Sequence, residues 1–225
     1  MIIVTGAGRG LGFHICKRLL GQGEEVVGLS RDVHGLKFES YRCDISCYEE
    51  IKRVSKKIKS KHKKASALIN AAGIASMNLA LTTPSKVTES LIQTNLLGTI
   101  FCCQLFAPFL IKNKSGSIVN FSTIAVPIGL RGESIYVASK AGVEGFSKSF
   151  AREMSDFDIR VNCIAPGPIN TNLTKGVEKS LIENVISHQI LQKQFKHDDV
   201  SDLVELLISP KAKTISGQVL SVGGI

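Results

Sequence analysis

The stretch FSTIAVPIGLRGESIYVASK, residues 121–140, carries side chains whose types and spacing suit proton transfer. Two hydroxyl residues, Ser122 and Thr123, precede Tyr136, and Lys140 follows that tyrosine by four positions. Because residues four apart share a helix face, the ammonium would lie beside the phenol. A free tyrosine has a pKa of about 10, which a nearby positive charge lowers by stabilising the tyrosinate. The segment therefore predicts a proton-transfer site, although such a pair alone is common on ordinary helix surfaces.

A glycine-rich turn near the start of the chain suits a different task, the binding of phosphate groups. The sequence TGAGRGLG lies between an apolar run and a segment of helical periodicity. Glycines let the backbone turn tightly and approach a pyrophosphate, which the free N–H groups of the next helix then hold. The pattern T-G-x-x-x-G-x-G is complete with Thr5, Gly6, Gly10 and Gly12, although Leu11 replaces the third glycine of G-x-G-x-x-G. We therefore expect a dinucleotide-binding turn here.

The residues after the second apolar run bear on which dinucleotide binds. NAD sites place an acidic residue there, which accepts hydrogen bonds from the ribose 2′-hydroxyl. This chain has Ser30 and Arg31 instead. An arginine pairs with a 2′-phosphate, which a carboxylate would repel. Arg9 in the glycine turn could add a second positive charge, whereas Asp32 is the feature that favours NAD. The sequence predicts NADP as the preferred cofactor.

Short apolar runs rich in β-branched residues alternate with longer segments of helical periodicity. Runs that are apolar on both faces suit a parallel sheet covered by helices on each side. The predicted strands are 1–5, 25–29, 37–41, 67–70, 117–122, 159–164 and 218–222, and the predicted helices are 10–21, 46–61, 84–113, 134–155 and 198–209. The link between the second and third strands is too short for the usual helix. The pattern predicts a three-layer, Rossmann-like α/β fold, a doubly wound sheet of about seven mostly parallel strands in one domain, residues 1–225.

Composition restricts the classes of partner. The net charge is +9, and much of the excess lies in residues 52–64, where no aromatic side chain is available for base stacking. We interpret that run as the solvated face of a helix and expect no nucleic-acid partner. The six cysteines form no C-x-x-C pair, so we expect no metal and small buried thiols in a reducing cytoplasm. No apolar run looks long and unbroken enough to span a membrane.

Taken in order, the motifs resemble those of the short-chain dehydrogenase/reductase family across nearly the whole chain. The segments that carry the resemblance are TGAGRGLG (5–12), CDIS (43–46), NAAG (70–73), TNLLGT (94–99), YVASK (136–140), RVNCIAPGPINT (160–171) and SGQVLSVGG (216–224). An ordered set of this kind is highly specific. One departure is the last motif, where the family often has V-D-G-G and this chain has V-G-G.

The resemblance implies an oxidoreductase that transfers a hydride between a nicotinamide and a carbonyl or alcohol substrate. The implied catalytic residues are Asn95, Thr123, Tyr136 and Lys140. The expected cofactor-binding residues are Thr5, Gly6, Gly8, Arg9, Gly10, Leu11, Gly12, Ser30, Arg31, Asp44, Ile45, Asn70, Ala71, Ala72, Gly73, Tyr136, Lys140, Pro166, Gly167, Ile169 and Thr171. In that scheme Asp44 meets the adenine, Lys140 bonds the nicotinamide ribose, and Asn95 holds a water that links the lysine to solvent.

The hydroxyl that faces the tyrosine is a departure from the family pattern. The family has a serine thirteen positions before the tyrosine, and that spacing leads to Thr123. Threonine keeps the hydroxyl, but its methyl group stiffens the side chain and occupies space in the pocket. Neighbouring residues of a strand point to opposite faces, so Ser122 cannot simply substitute. A shift of the loop by one residue would bring in Ser122, and both hydroxyls stay candidates.

The substrate is less well defined by the sequence. We expect a substrate lid at about 172–196, whose apolar residues are Leu173, Val177, Leu181, Ile182, Val185 and Ile186. The phrase KAGVEGFSKSFARE resembles 3-oxoacyl-acyl-carrier-protein reductases, and an acidic carrier protein would suit a basic enzyme. Other small carbonyl or alcohol substrates stay open.

Two further expectations follow from the resemblance. The family commonly forms oligomers, so a homo-oligomer, either a dimer or a tetramer, is implied. An NADP-binding sensor or regulatory protein with little turnover is the alternative function, because Thr123 replaces the usual serine.

Overall fold

A computed structural model describes residues 1–169 and 178–225. Within these ranges, the strands are β1 (Ile2–Thr5), β2 (Val26–Ser30), β3 (Ser40–Arg42), β4 (Ala67–Asn70), β5 (Gly116–Phe121), β6 (Ile159–Ala165) and β7 (Val219–Ser221). They form one seven-stranded sheet in the order β3-β2-β1-β4-β5-β6-β7, and every pair of neighbours is parallel. The predicted doubly wound α/β sheet is confirmed, and it is wholly rather than mostly parallel.

Helices cover both faces of this sheet. They are α1 (Gly10–Gly21), α2 (Tyr48–Lys61), α3 (Ser85–Leu91), α4 (Gly98–Ile111), α5 (Ala125–Ile128), α6 (Ser134–Met154), α7 (Lys179–Ser187) and α8 (His197–Ile208). A π-helical turn, Ile92–Leu97, joins α3 to α4, and short 3₁₀ turns lie at Ala80–Thr82, Ser155–Phe157 and Pro210–Ala212. The predicted long helices agree closely with these bounds, whereas α5 had not been predicted and α7 lies within the expected lid.

The third strand was misplaced by the sequence pattern. It begins at Ser40, paired with Gly28, rather than at residue 37. The preceding residues make a turn without a helix, as the short link predicted. Phe38 explains the shift, because its ring packs beside Gly28, where an added Cβ would lie 2.8 Å from Phe38 Cε2. This aromatic ring joins the apolar cluster on that face of the sheet.

Two apolar layers hold the sheet between the helices. On one face the buried residues of α2, α4 and α6 pack on the strands, among them Ile51, Phe106 and Phe150. On the other face α1 and α8 contribute residues such as Ile15 and Val204. Each fully buried aliphatic or aromatic side chain stabilises the fold by about 1.5–3 kcal/mol. These layers fix the carboxyl ends of the strands, where the predicted motifs meet.

The continuous helical segment Ser85–Ile111 corrects one expectation. By length and composition it could cross a membrane, with a mean hydropathy of 1.6 over its most apolar window. Half of that window is buried inside the fold, where Cys102, Cys103 and Phe106 of α4 are fully covered. Its apolar character therefore suits a core helix beside the sheet.

The glycine turn offers a direct test of this packing. A Cβ added at Gly12 would lie 2.5 Å from the backbone oxygen of Gly6, whereas one added at Gly145 on α6 would meet nothing within 4 Å. Gly12→Ala should therefore lower the free energy of unfolding by about 1–3 kcal/mol. Gly145→Ala should raise it by about 0.5–1 kcal/mol, because alanine favours a helix interior. Urea unfolding measures both, and equal effects would contradict the tight packing of the turn.

Candidate active site

A cleft of about 700 Å³ opens at the carboxyl ends of the strands. It lies where the strand order reverses between β1 and β4, the usual ligand position in doubly wound sheets. The predicted site residues that line it are Gly6, Gly8, Arg9, Gly10, Leu11, Gly12, Ser30, Arg31, Asp44, Ile45, Ala71, Ala72, Gly73, Thr123, Tyr136, Lys140, Pro166, Gly167 and Ile169. Thr5, Asn70 and Asn95 do not line the cleft, and Thr171 lies outside the described residues.

The glycine turn forms one end of the cleft and fits an anionic ligand. Helix α1 starts at Gly10 without a side-chain cap and without an acidic residue in its first turn. Its first N–H groups and its positive dipole therefore stay available for a phosphate. Gly6 and Gly10 adopt φ values of +71° and +58°, which suit glycine. This geometry fits the pyrophosphate of a dinucleotide.

Two arginines lie near the end of β2, where the second ribose of a dinucleotide would bind. A Cβ added at Gly8 would lie 2.4 Å from Ser30 Oγ, so this strand end contacts the glycine turn. The guanidinium groups of Arg9 and Arg31 are exposed, and within the described ranges they make no hydrogen bond or ion pair with another residue. The Asp32 carboxylate accepts a hydrogen bond from the His34 backbone N–H at 2.9 Å. Asp32 is itself exposed and keeps its other acceptor positions, so two arginines and one carboxylate lie at this strand end.

Thr5 and Asn70 lie beneath the cleft rather than in its lining, and their assignment to the cofactor site stays a prediction. Thr5 Oγ1 accepts a hydrogen bond from Ala72 N at 3.1 Å and so fixes the loop after β4. Asn70 Nδ2 donates to Asn120 Oδ1 at 2.8 Å, and Asn120 Nδ2 donates to Ser147 Oγ at 2.8 Å. This buried chain of polar groups ties β4 and β5 to helix α6.

The geometry separates the two candidate hydroxyls. Ser122 Oγ donates to Glu144 Oε1 at 2.5 Å, on helix α6. Thr123 Oγ1 accepts a hydrogen bond from Ala125 N at 3.2 Å, and the hydroxyl lies close enough to the Tyr136 phenol to lower its pKa. Both hydroxyls line the cleft, but that of Ser122 is taken up by Glu144. Thr123 is the hydroxyl that acts on the phenol of Tyr136.

The charge states of the tyrosine and the lysine are both set by burial. Burial raises the pKa of Tyr136, the Glu133 carboxylate raises it further, and the Thr123 hydrogen bond lowers it. This direction is opposite to the lowering expected from Lys140, because the loss of water around the phenol is the largest effect. Burial also lowers the pKa of Lys140 to about 8. Its Nζ donates to Phe121 O at 2.8 Å, and the other two donor positions stay available on the cleft side.

Asn95 occupies the π-helical turn and positions its neighbours. Its Oδ1 accepts from Ile74 N at 2.9 Å, while Nδ2 donates to Ile74 O at 2.9 Å and to Ser139 Oγ at 3.0 Å. Ser139 immediately precedes Lys140 on helix α6. The extra residue of a π turn, a feature often found at functional sites, therefore brings the amide to both segments. The water relay expected of Asn95 stays a prediction.

The opposite end of the cleft is made by segments that the motifs did not identify. Met77, Leu130, Arg131 and Glu133 line it, together with Leu181, Ile182, Asn184 and Val185 of helix α7. Of the expected lid residues, Ile186 is not in the lining, and Leu173 and Val177 lie outside the described residues. The sequence does place an acid, Glu133, three residues before Tyr136, and that spacing could have indicated its place in the site.

A buried glutamine, also missed, supports the loop after β6. Gln189 is 2% exposed, and its Nε2 donates to Leu191 O at 3.1 Å and Lys193 O at 2.9 Å. A Cβ added at Gly167 would lie 2.0 Å from Gln189 Oε1. Phe195 pairs with Ile169 in an isolated parallel bridge. The segment after α7 therefore holds the loop that lines the cleft.

The cysteines and acids offer no metal site among residues 1–169 and 178–225, where no group of three or more potential ligands is suitably placed. All six cysteines are free, and five are buried as expected. Cys47, which is exposed, corrects that expectation.

Comparison with known proteins agrees with this geometry. The pattern of the family described as enoyl-(acyl carrier protein) reductase matches residues 6–224. The 3-oxoacyl-[acyl-carrier-protein] reductase FabG of Staphylococcus aureus is 32% identical, covering 99% of this chain and 96% of that protein. The FabG of Chlamydia pneumoniae is 34% identical, covering 99% and 95%.

Solved structures agree as well. Ligand-free aldohexose dehydrogenase of Thermoplasma acidophilum has a TM-score of 0.89 at 30% identity, covering 99% of this chain and 92% of that one. A 4-hydroxyisoleucine dehydrogenase complexed with NADH and succinate has a TM-score of 0.90 at 28% identity, covering 100% and 98%. The chain therefore belongs to the short-chain dehydrogenase/reductase family, whose members are oxidoreductases that use a nicotinamide cofactor.

Proposed function

We propose that the protein is an NADP(H)-dependent oxidoreductase that transfers a hydride between the nicotinamide and the carbonyl or alcohol carbon of a small substrate. One observation carries the proposal: the Thr123 hydroxyl, the Tyr136 phenol and the Lys140 ammonium meet in the cleft that the glycine turn also lines. This arrangement combines a phosphate-binding end with a proton-transfer end in one cavity.

The residues at the phosphate end would hold the cofactor, whose nicotinamide supplies the hydride for reduction or accepts it in oxidation. The uncapped start of helix α1 suits the pyrophosphate, and Asp44 with Ile45 lines the expected adenine position. Asp44 Oδ1 already accepts bonds from Ser46 N and Oγ at 2.9 and 2.7 Å, which fixes this loop. The spare donors of Lys140 suit ribose hydroxyls. Thr171 remains a proposed contact.

Proton transfer would fall to the three polar side chains at the other end. In reduction, Tyr136 donates its proton to the substrate oxygen, and in oxidation the tyrosinate takes that proton back. Thr123 donates a hydrogen bond to the oxygen as negative charge develops there. Lys140 stabilises the tyrosinate when protonated. With a pKa of about 8, Lys140 can also exchange protons near neutral pH, and Asn95 would link it to solvent through a water.

NADP preference is supported by the charges beside β2. Arg9 and Arg31, which make no ion pair within the described ranges, outnumber Asp32 and would pair with a 2′-phosphate. Arginine binds phosphate through two parallel hydrogen bonds, which a carboxylate at the same place would oppose.

Substrate, assembly and location are proposed with narrower support. Because the FabG relatives are 3-oxoacyl-[acyl-carrier-protein] reductases, 3-oxoacyl thioesters, free or on an acidic carrier protein, are the first class of substrate to assay. The similarity to aldohexose dehydrogenase adds sugars as a second class.

We propose one catalytic domain with a lid around α7, which lines the cleft. We propose a homo-oligomer, dimer or tetramer, because the family resemblance implies one, and the free cysteines support a cytoplasmic location.

Tyr136→Phe tests the function directly. It removes the proton donor and keeps the ring, so turnover should fall by about 10²–10⁴-fold while NADPH affinity changes little. NADPH absorbance should be followed with a panel of acyl thioesters, aldoses, diketones and aldehydes. Unchanged turnover in the variant would refute the proton-donor role. Wild-type protein that binds NADPH but turns over no member of the panel would support the sensor alternative instead.

Thr123 and its neighbour form a matched pair. Thr123→Ser should retain or increase kcat, while Thr123→Val should lower kcat by about 10²–10³-fold through loss of the donor at the substrate oxygen. Ser122→Ala should leave kcat near the wild-type value, because Ser122 bonds Glu144 away from the phenol. Steady-state kinetics with one substrate is sufficient. A fully active Thr123→Val would remove this hydroxyl from the mechanism.

Arg31→Asp tests the choice of dinucleotide. Loss of a charge-assisted bond to the phosphate should lower kcat/KM for NADPH by about 10–100-fold and shift the preference towards NADH. Arg152→Asp, on an exposed part of α6, makes the same change in net charge away from the cleft and should leave the NADPH/NADH ratio unchanged. A constant ratio in both variants would show that Arg31 does not contact the cofactor.

A further inference from the structure

Glu133 is a half-buried carboxylate in the substrate end of the cleft that has no hydrogen-bond partner within the part of the chain that the structure describes. Its side chain also makes no ion pair with any residue in the ranges 1–169 and 178–225. Burial raises the pKa of this carboxyl, which means that the charged form is poorly solvated. Poor solvation costs free energy unless a hydrogen-bond donor approaches. A donor on a bound substrate would offset that cost.

The position of Glu133 relative to Tyr136 defines where such a donor would be. Glu133 directly precedes helix α6, and Tyr136 is three residues later, close enough for the carboxylate charge to raise the pKa of the phenol. Both side chains also line the same cleft. A substrate whose oxygen contacts the phenol would therefore present its adjacent carbon to Glu133.

The surroundings favour a neutral hydroxyl as the donor. Met77 and Leu130 are apolar neighbours in the lining, and Leu181 and Val185 add apolar surface from α7. Arg131 also lines this end, and its positive charge opposes an ammonium ligand. The negative charge of Glu133 would likewise repel a carboxylate on the carbon next to the reacting carbon. A 3-oxoacyl thioester has no donor on either carbon beside its ketone, so it would leave Glu133 unsatisfied.

We propose that Glu133 is a specificity-determining residue that accepts a hydrogen bond from a hydroxyl on the carbon next to the reacting carbon. The preferred substrates are then α-hydroxy carbonyls in reduction and the corresponding vicinal diols in oxidation. The proposal rests on the function proposed above, because Tyr136 marks the position of the reacting oxygen.

Equilibrium binding tests the hydroxyl contact without any need for turnover. The dinucleotide-loaded protein is titrated with 1,2-hexanediol and with 2-hexanol, which differ by the one hydroxyl in question. Wild type should bind the diol about tenfold more tightly, the effect of one hydrogen bond to a charged acceptor. Glu133→Gln should bring the ratio close to one. Glu153→Gln, on an exposed part of α6, makes the same charge change and should keep the wild-type ratio.

Kinetics with 1-hydroxy-2-hexanone and 2-hexanone separates specificity from other effects, because loss of the Glu133 charge changes the Tyr136 pKa for both ketones alike. Glu133→Gln should lower the ratio of kcat/KM for the hydroxy ketone to that for 2-hexanone about tenfold. Equal wild-type affinity for diol and alcohol, or an equal loss on both ketones in the variant, would overturn the proposal. If the protein binds the diol more tightly than the alcohol but reduces neither ketone, the role of Glu133 is supported and the proposed function is refuted. If it reduces ketones but binds diol and alcohol equally, the proposed function is supported and the role of Glu133 is refuted.

Discussion

A positive charge buried beneath the cleft is the constraint on which the site depends. Lys140 is 5% exposed, and its Nζ donates to Phe121 O at 2.8 Å, at the end of β5. A buried ammonium with one protein acceptor is poorly compensated, which explains why burial lowers its pKa to about 8. Its remaining donor positions face the cleft, where the hydroxyl groups of a bound ligand would compensate the charge.

The Lys140 ammonium can act on bound ligands only if its position is fixed. Two networks of polar side chains fix that position. One joins Asn70, Asn120 and Ser147 beneath the sheet, and the other joins Asn95 to Ile74 and to the residue before Lys140. Buried polar networks favour one arrangement of the elements that they connect, and here every member but Asn70 Oδ1, which has no partner among the described residues, is paired. Both converge on helix α6, so the position of the lysine is set from β4, β5 and the π turn together.

The sequence predicted the features that depend on the spacing of residues within one segment. It missed the features that depend on contacts between segments far apart in the chain. The glycine turn, the parallel sheet and the pairing of Tyr136 with Lys140 follow from spacing along one segment. The start of β3 could not be derived, because Phe38 replaces helical cover on the sheet and alternation alone cannot reveal that. The motif that contains Asn70 could not reveal that its amide donates to Asn120 on the neighbouring strand. The choice of Thr123 over Ser122 required the position of Glu144 on another element.

The two ends of the cleft differ in how they are encoded, and this difference explains why the cofactor is easier to predict than the substrate. The phosphate end is made largely of backbone N–H groups and glycines, so a short contiguous motif specifies it. The substrate end is made of side chains from the loop after β4, the start of α6 and helix α7. No single motif spans these segments. Glu133 and Tyr136 nevertheless both lie at the start of α6. Glu133, which would select the substrate, and Tyr136, which would protonate it, therefore keep a fixed distance from each other even if helix α7 changes position.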